Sequence, residues 1–150
     1  MNTNGTTIRE RVWEANTVCA RQNPIHEQIS PYSIPLYVLG TIDAPDILSV
    51  EEVDMWKASD YLKENFARID ASEIPEGYVA SRSDDRYLLV LGDPDFPLQF
   101  AAVMDMGSDT PFFSKSRHMG SGFDGLTELI SDVSVEADLP SPDVHYFKAI

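Results

Sequence analysis

The chain is poor in the residues from which reactive and cofactor sites are usually built. It holds one cysteine, Cys19. No internal disulfide can form, zinc sites made of several thiolates are excluded, and a reducing compartment is the fitting one. The three histidines, His26, His118 and His145, are far apart and none has a partner four residues away, so no helical pair of imidazole ligands is present. A Walker loop and a dinucleotide fingerprint are both missing. Asp93-Pro94-Asp95 does not extend into a calcium loop, which needs alternating acids, a central glycine and a terminal glutamate. Gly120-Ser121-Gly122 sets its glycines one residue from the serine, whereas a nucleophile elbow sets them two away. No apolar run approaches the ~18 residues of a membrane helix, and Met1 to Arg11 has no apolar stretch of signal-peptide type. These absences predict a cytoplasmic protein that is no enzyme and carries no cofactor and no metal.

Basic residues are scarce as well. There are 11 of them against 25 acids, a formal net charge of −14. Such a charge repels nucleic acid and anionic membranes and attracts basic proteins. The expected partner is therefore a basic protein, with no direct nucleic acid and no membrane. The acids are unevenly placed. From Asp43 to Glu76 ten acids face three bases, Lys57, Lys63 and Arg68; from Met119 to Phe147 six acids face none. A charge run of this kind is ordinarily a solvated face, and it acquires meaning only beside groups that bind.

What is present is a folding composition, 43% hydrophobic and 10% aromatic over 150 residues, which fits a single domain, 1–150, with a core of its own. Thr7 and Glu10 have the spacing of a capping box, and Ile8, Val12, Ala15 and Cys19 repeat at helical intervals behind them. Cys19 on that stripe reads as a small core residue. The run Leu36-Tyr37-Val38-Leu39, closed by Gly40, predicts a short strand. Ser49 and Glu52 suggest a second capping box before a helix over Val50 to Ile69, with Val53, Trp56, Leu62, Phe66 and Ile69 near one face. Trp13 and Trp56 are expected in or partly in the core. Three strands follow: Tyr78 to Arg82, the continuous apolar run Tyr87 to Leu91, and the alternating Leu98, Phe100, Ala102 and Met104. The short turns between them favour antiparallel pairing as a meander. Phe112-Phe113 suggests a further short strand, Lys115 to Gly122 a loop, Phe123 to Val133 a helix, and Val144 to Ile150 a last strand at the sheet edge. The expected class is α+β: an antiparallel meander sheet packed by N-terminal, middle and C-terminal helices.

Two groups of residues stand out as candidate sites. Lys115, Arg117, His118 and Ser121 concentrate positive charge just before a predicted helix, whose first amides attract anions, and form a possible anion site. The plainer reading is that Gly120 and Gly122 make a tight turn, Ser121 or Asp124 caps the helix, and the bases offset nearby acids. The second group joins acids to aromatics near the meander turns: Asp84, Asp85, Asp93, Asp95, Asp105 and Asp109 flank Tyr87, Phe96, Phe112 and Phe113. Buried aromatics anchor protein interfaces and complementary charge speeds encounter, so these ten residues are the candidate partner-binding set.

With Ile74-Pro75-Glu76-Gly77-Tyr78 ahead of the meander and Phe123 to Ile130 as a closing helix, the chain resembles the toxin-immunity proteins of bacterial competition systems, and within them the SUKH superfamily. The usual Asn-Gly step after the proline segment is missing, and no binding residue is carried over. The resemblance implies an inhibitor of a cognate toxin, and the acidity independently suits a basic nuclease or tRNA-directed toxin. The alternatives are an acidic adaptor, chaperone or nucleic-acid mimic of phage or host, and an enzyme whose site follows no motif.

Overall fold

The computed structural model describes residues 5–19, 29–115, 120–138 and 140–150. Its elements run α1 (Gly5–Val18), α2 (Ser33–Leu39), α3 (Met55–Asn65), β1 (Phe66–Ile69), β2 (Tyr87–Asp93), β3 (Phe96–Val103), β4 (Phe112–Lys115), β5 (Ser121–Asp124), α4 (Leu126–Ala137) and β6 (Val144–Ala149). The six strands form one antiparallel sheet in the order β1-β6-β2-β3-β4-β5. The class is α+β, as the adjacent strand signals and separate helices imply.

Strand β2 is central and buried from Tyr87 to Gly92, because it has β6 on one side and β3 on the other. Both sheet faces are covered. Leu88, Val90, Phe100, Ala102 and Phe113 lie on one, where Tyr32 at the start of α2 meets the Phe100 ring edge-on at 5.2 Å. Leu89, Leu91, Ala101, Val103 and Phe112 lie on the other and are equally buried. Helices α2 and α3 contact β3 and its neighbours, and α4 contacts β3 through a face that buries Leu129 and Val133. Helix α1 buries Ile8, Val12, Ala15 and Cys19, the expected stripe.

The β2–β3 hairpin is built by two residues that fix its backbone. Pro94 is preset for the first central position of the two-residue turn between Asp93 and Phe96. Gly92 has φ +95° beside a break in register that leaves Leu98 unpaired. A side chain at Gly92 would meet the Leu98 Cγ at 2.8 Å, so this position needs glycine for both its conformation and its space.

Several sequence expectations fail for identifiable reasons. Leu36 to Leu39 lies in helix α2, not a strand. All seven residues of α2 are buried, and an apolar run buried on every side has no period to distinguish helix from strand. Pro35 sits in its first turn, where no amide is needed, and Gly40, at φ 83°, closes it through bonds to Leu36 and Tyr37. The long helix over Val50 to Ile69 is instead α3 followed directly by strand β1. Its cap is Asp54, whose carboxylate accepts from the Lys57 amide at 2.9 Å, and not the Ser49–Glu52 pair. Helix α1 begins at Gly5, ahead of the Thr7–Glu10 pair.

Tyr78 to Arg82 forms only a single bridge, Val79 to Asp105, and then a 3₁₀ turn over Ala80–Arg82. The buried Arg86 donates from Nη1 to the Ala80, Ser83 and Asp85 carbonyls at 3.0, 2.7 and 2.9 Å, which curls the segment away from the sheet. The predicted helix over Phe123 to Val133 starts later, because Ser121–Asp124 pairs with β4. Gly125 precedes α4, and its amide is taken by the Glu128 carboxylate at 3.2 Å. Strand β6 lies inside the sheet between β1 and β2, not at its edge.

Candidate functional site

The acids and aromatics singled out from the sequence do not gather in one place. Tyr87, Phe112 and Phe113 are core residues, at most 3% exposed, because they lie on the inner strands of a sheet covered on both faces. They cannot anchor a partner. Asp84, Asp85, Asp105 and Asp109 sit where β2 begins and β3 ends; Asp93, Asp95 and Phe96 sit at the opposite hairpin end. The five paired steps between them span roughly 17 Å of strand. The proposed set is thus two separate clusters. In the first, Asp85 faces Lys148 at 3.7 Å and Asp105 accepts from the Gly107 amide. Only the second contains an exposed aromatic.

That aromatic, Phe96, is 49% exposed and does not stand alone. Trp56, 61% exposed, meets it edge-on at 5.5 Å with the rings at 82°. The pairing follows from the register of α3. Met55, Ala58, Ser59 and Leu62 face inward at helical spacing, and small Ala58 and Ser59 allow a close approach to the sheet. Trp56, Asp60 and Lys63 are then left on the flank beside the hairpin. Trp56, Ser59, Asp60, Lys63, Asp95 and Phe96 line an open recess of about 450 Å³. Lys63 Nζ lies 3.1 Å from Asp95 Oδ1 across it. Asp93 holds the turn by accepting from the Asp95 amide at 2.9 Å. Ser59 is buried, and its hydroxyl has no hydrogen-bond partner among the described residues.

Both tryptophans are expected in or partly in the core, and both are at the surface; Trp13 is 71% exposed. Sequence reading missed Trp56, Ser59, Asp60 and Lys63 as site residues. The signal was there in a second helical register: Met55-Ala58-Ser59-Leu62 is as regular a stripe as one that includes Trp56, and it leaves the indole outside.

Two other recesses have several of their polar groups engaged within the chain. In one, of about 630 Å³ beside Trp13, Arg11 bonds the Tyr37 carbonyl at 2.7 Å, pairs with Asp43 and stacks 4.5 Å over the Tyr37 ring. The Tyr37 hydroxyl donates to Glu14 at 2.6 Å, and burial with that carboxylate pushes the phenol up. In the other, of about 520 Å³, the Ser30 hydroxyl donates to Val53 and the Tyr32 hydroxyl to Pro97.

The anion site is not assembled as expected. Lys115 is 1% exposed and Ser121 is buried in β5, four residues ahead of the helix cap rather than on it. Arg117 and His118 lie outside the described residues. Cys19 is fully buried, and desolvation pushes its thiol up despite the nearby Lys115, which suits a packing role and not a nucleophile. Among the described residues no three His, Cys, Asp or Glu side chains are placed to hold a metal ion, and no helix is long and apolar enough to cross a membrane. Comparisons with protein-family models, with curated proteins and with solved structures find no match.

Proposed function

We propose that this chain is a cytoplasmic protein-binding inhibitor, an immunity protein that neutralises a cognate basic toxin, a nuclease or tRNA-directed enzyme, of a bacterial competition system. The observation that carries the reading is the exposed Trp56–Phe96 pair set among Asp60, Asp93 and Asp95. Large aromatics at the surface of a well-packed protein are the usual hot spots of interfaces. Their acidic surround, on a chain of net charge −14, selects a positively charged face and steers it into place. The docking surface is then the hairpin end of the sheet plus the flank of α3.

The test is protection. Co-expression with the toxin domain encoded beside this gene should rescue growth. Trp56→Ala with Phe96→Ala should abolish rescue while leaving the fold intact by circular dichroism. The absence of any toxin gene from the neighbourhood, or full protection by the double variant, would refute the reading. Equal binding to several unrelated DNA-binding proteins, competed by DNA, would favour a nucleic-acid mimic in its place.

A further inference from the structure

The recess between α3 and the β2–β3 hairpin already holds a cation of the chain's own, Lys63, against Asp95. We propose that this recess is a receptor for the guanidinium of a partner's arginine, which displaces Lys63 from Asp95. The inference rests on the binding role proposed above and names the chemical group that the site takes. Two features point to a planar, multi-donor cation. The Trp56 and Phe96 rings stand at 82°, so a flat cation lying on the face of one turns its N–H edge toward the face of the other. A guanidinium is weakly hydrated and stacks on an indole face, which is the best aromatic surface for it. Asp60 and Asp95 supply carboxylates on the same recess, and a guanidinium can bond one of them through two parallel N–H groups.

An ammonium carries three donors around a point and cannot bond a carboxylate through two parallel N–H groups while lying flat on the indole. A guanidinium, with five donors held in one plane, can. Lys63 is a weak competitor, because both it and Asp95 are more than half exposed and such surface pairs contribute little.

The experiment follows the indole N–H signal of Trp56 by NMR, with that of Trp13 as internal reference. The full chain is titrated with Nα-acetyl-arginine N-methylamide, and in parallel with the lysine and norleucine analogues. Trp56 should shift saturably with arginine and several-fold more weakly with lysine, and should not respond to norleucine. Lys63→Met, which removes the internal competitor, should tighten arginine binding several-fold, and Asp95→Asn should remove it. A Trp56 signal unmoved by arginine even in the Lys63→Met protein would overturn the proposal. So would an arginine response no tighter than that of lysine, or one matched by norleucine or by Trp13. If arginine fails while Phe96→Ala still abolishes protection against the toxin, the guanidinium assignment falls and the docking surface stands. If protection also survives Phe96→Ala, both fall.

Discussion

Arg86 is 3% exposed, and one of its nitrogens bonds three carbonyls that would otherwise straighten the segment before β2. Arg86→Met keeps most of the volume but strips those acceptors of a charged donor. Stability should fall by about 3 kcal/mol, read as a lower urea midpoint. Gly92→Ala should lower it by about 1–3 kcal/mol through φ +95° and the Leu98 contact, and the same denaturation measurement checks it. Tyr78 carries a pH prediction. Its hydroxyl donates to the Asp85 carbonyl at 2.7 Å, and burial, opposed by the neighbouring Arg86, pushes it up to about 12. The folded chain therefore favours the neutral phenol more than the unfolded chain does, where the value is near 10. That contribution is complete below pH ~10 and fades as pH climbs from ~10 to ~12. Urea midpoints measured across this range should decline, and Tyr78→Phe should flatten part of the slope.

At the scale of elements, α3 determines whether the candidate surface exists. Its Asp54 cap sets where the helix begins, and hence which way Trp56 points. Asp54→Ala should cost about 1 kcal/mol and loosen the Trp56–Phe96 contact, visible as weakened ring-to-ring nuclear Overhauser effects between the two side chains. The site depends on this register, and the register was the ambiguous part of the sequence. The α1 stripe and the apolar β2 were legible, because each is dictated by neighbours in the chain: a helical repeat and a bounded apolar run. Helix α2 was not, since full burial erases periodicity. Neither was the passage from α3 into β1, where Phe66 and Ile69 continue the helical spacing yet pair with β6 from the far end of the chain. The fate of Tyr87, Phe112 and Phe113 turned on the same kind of long-range fact: an aromatic beside acids reads as a surface anchor until a second layer is known to cover it. Phe96 is exposed because it abuts a turn, and turns lie at the surface.

Taken whole, the molecule is a polyanion folded against its own repulsion. Added salt should screen that repulsion and stabilise the fold by on the order of 1 kcal/mol, seen as a higher midpoint for thermal unfolding. The same salt should slow capture of a basic partner. Its association rate should fall about tenfold or more between ~20 mM and ~500 mM salt, and stopped-flow rates that ignore ionic strength would contradict the steering role. The placement of β6 has a different kind of consequence. Residues 144–149 complete the middle of the sheet, joining β1 to β2 across a gap that nothing earlier in the chain fills. During synthesis, the hairpin β2–β3 and its neighbours must wait with an open flank until almost the whole described chain has left the ribosome. The sheet can therefore close only once residues 144–149 have been made, as a keystone set into its middle rather than a border added at its edge.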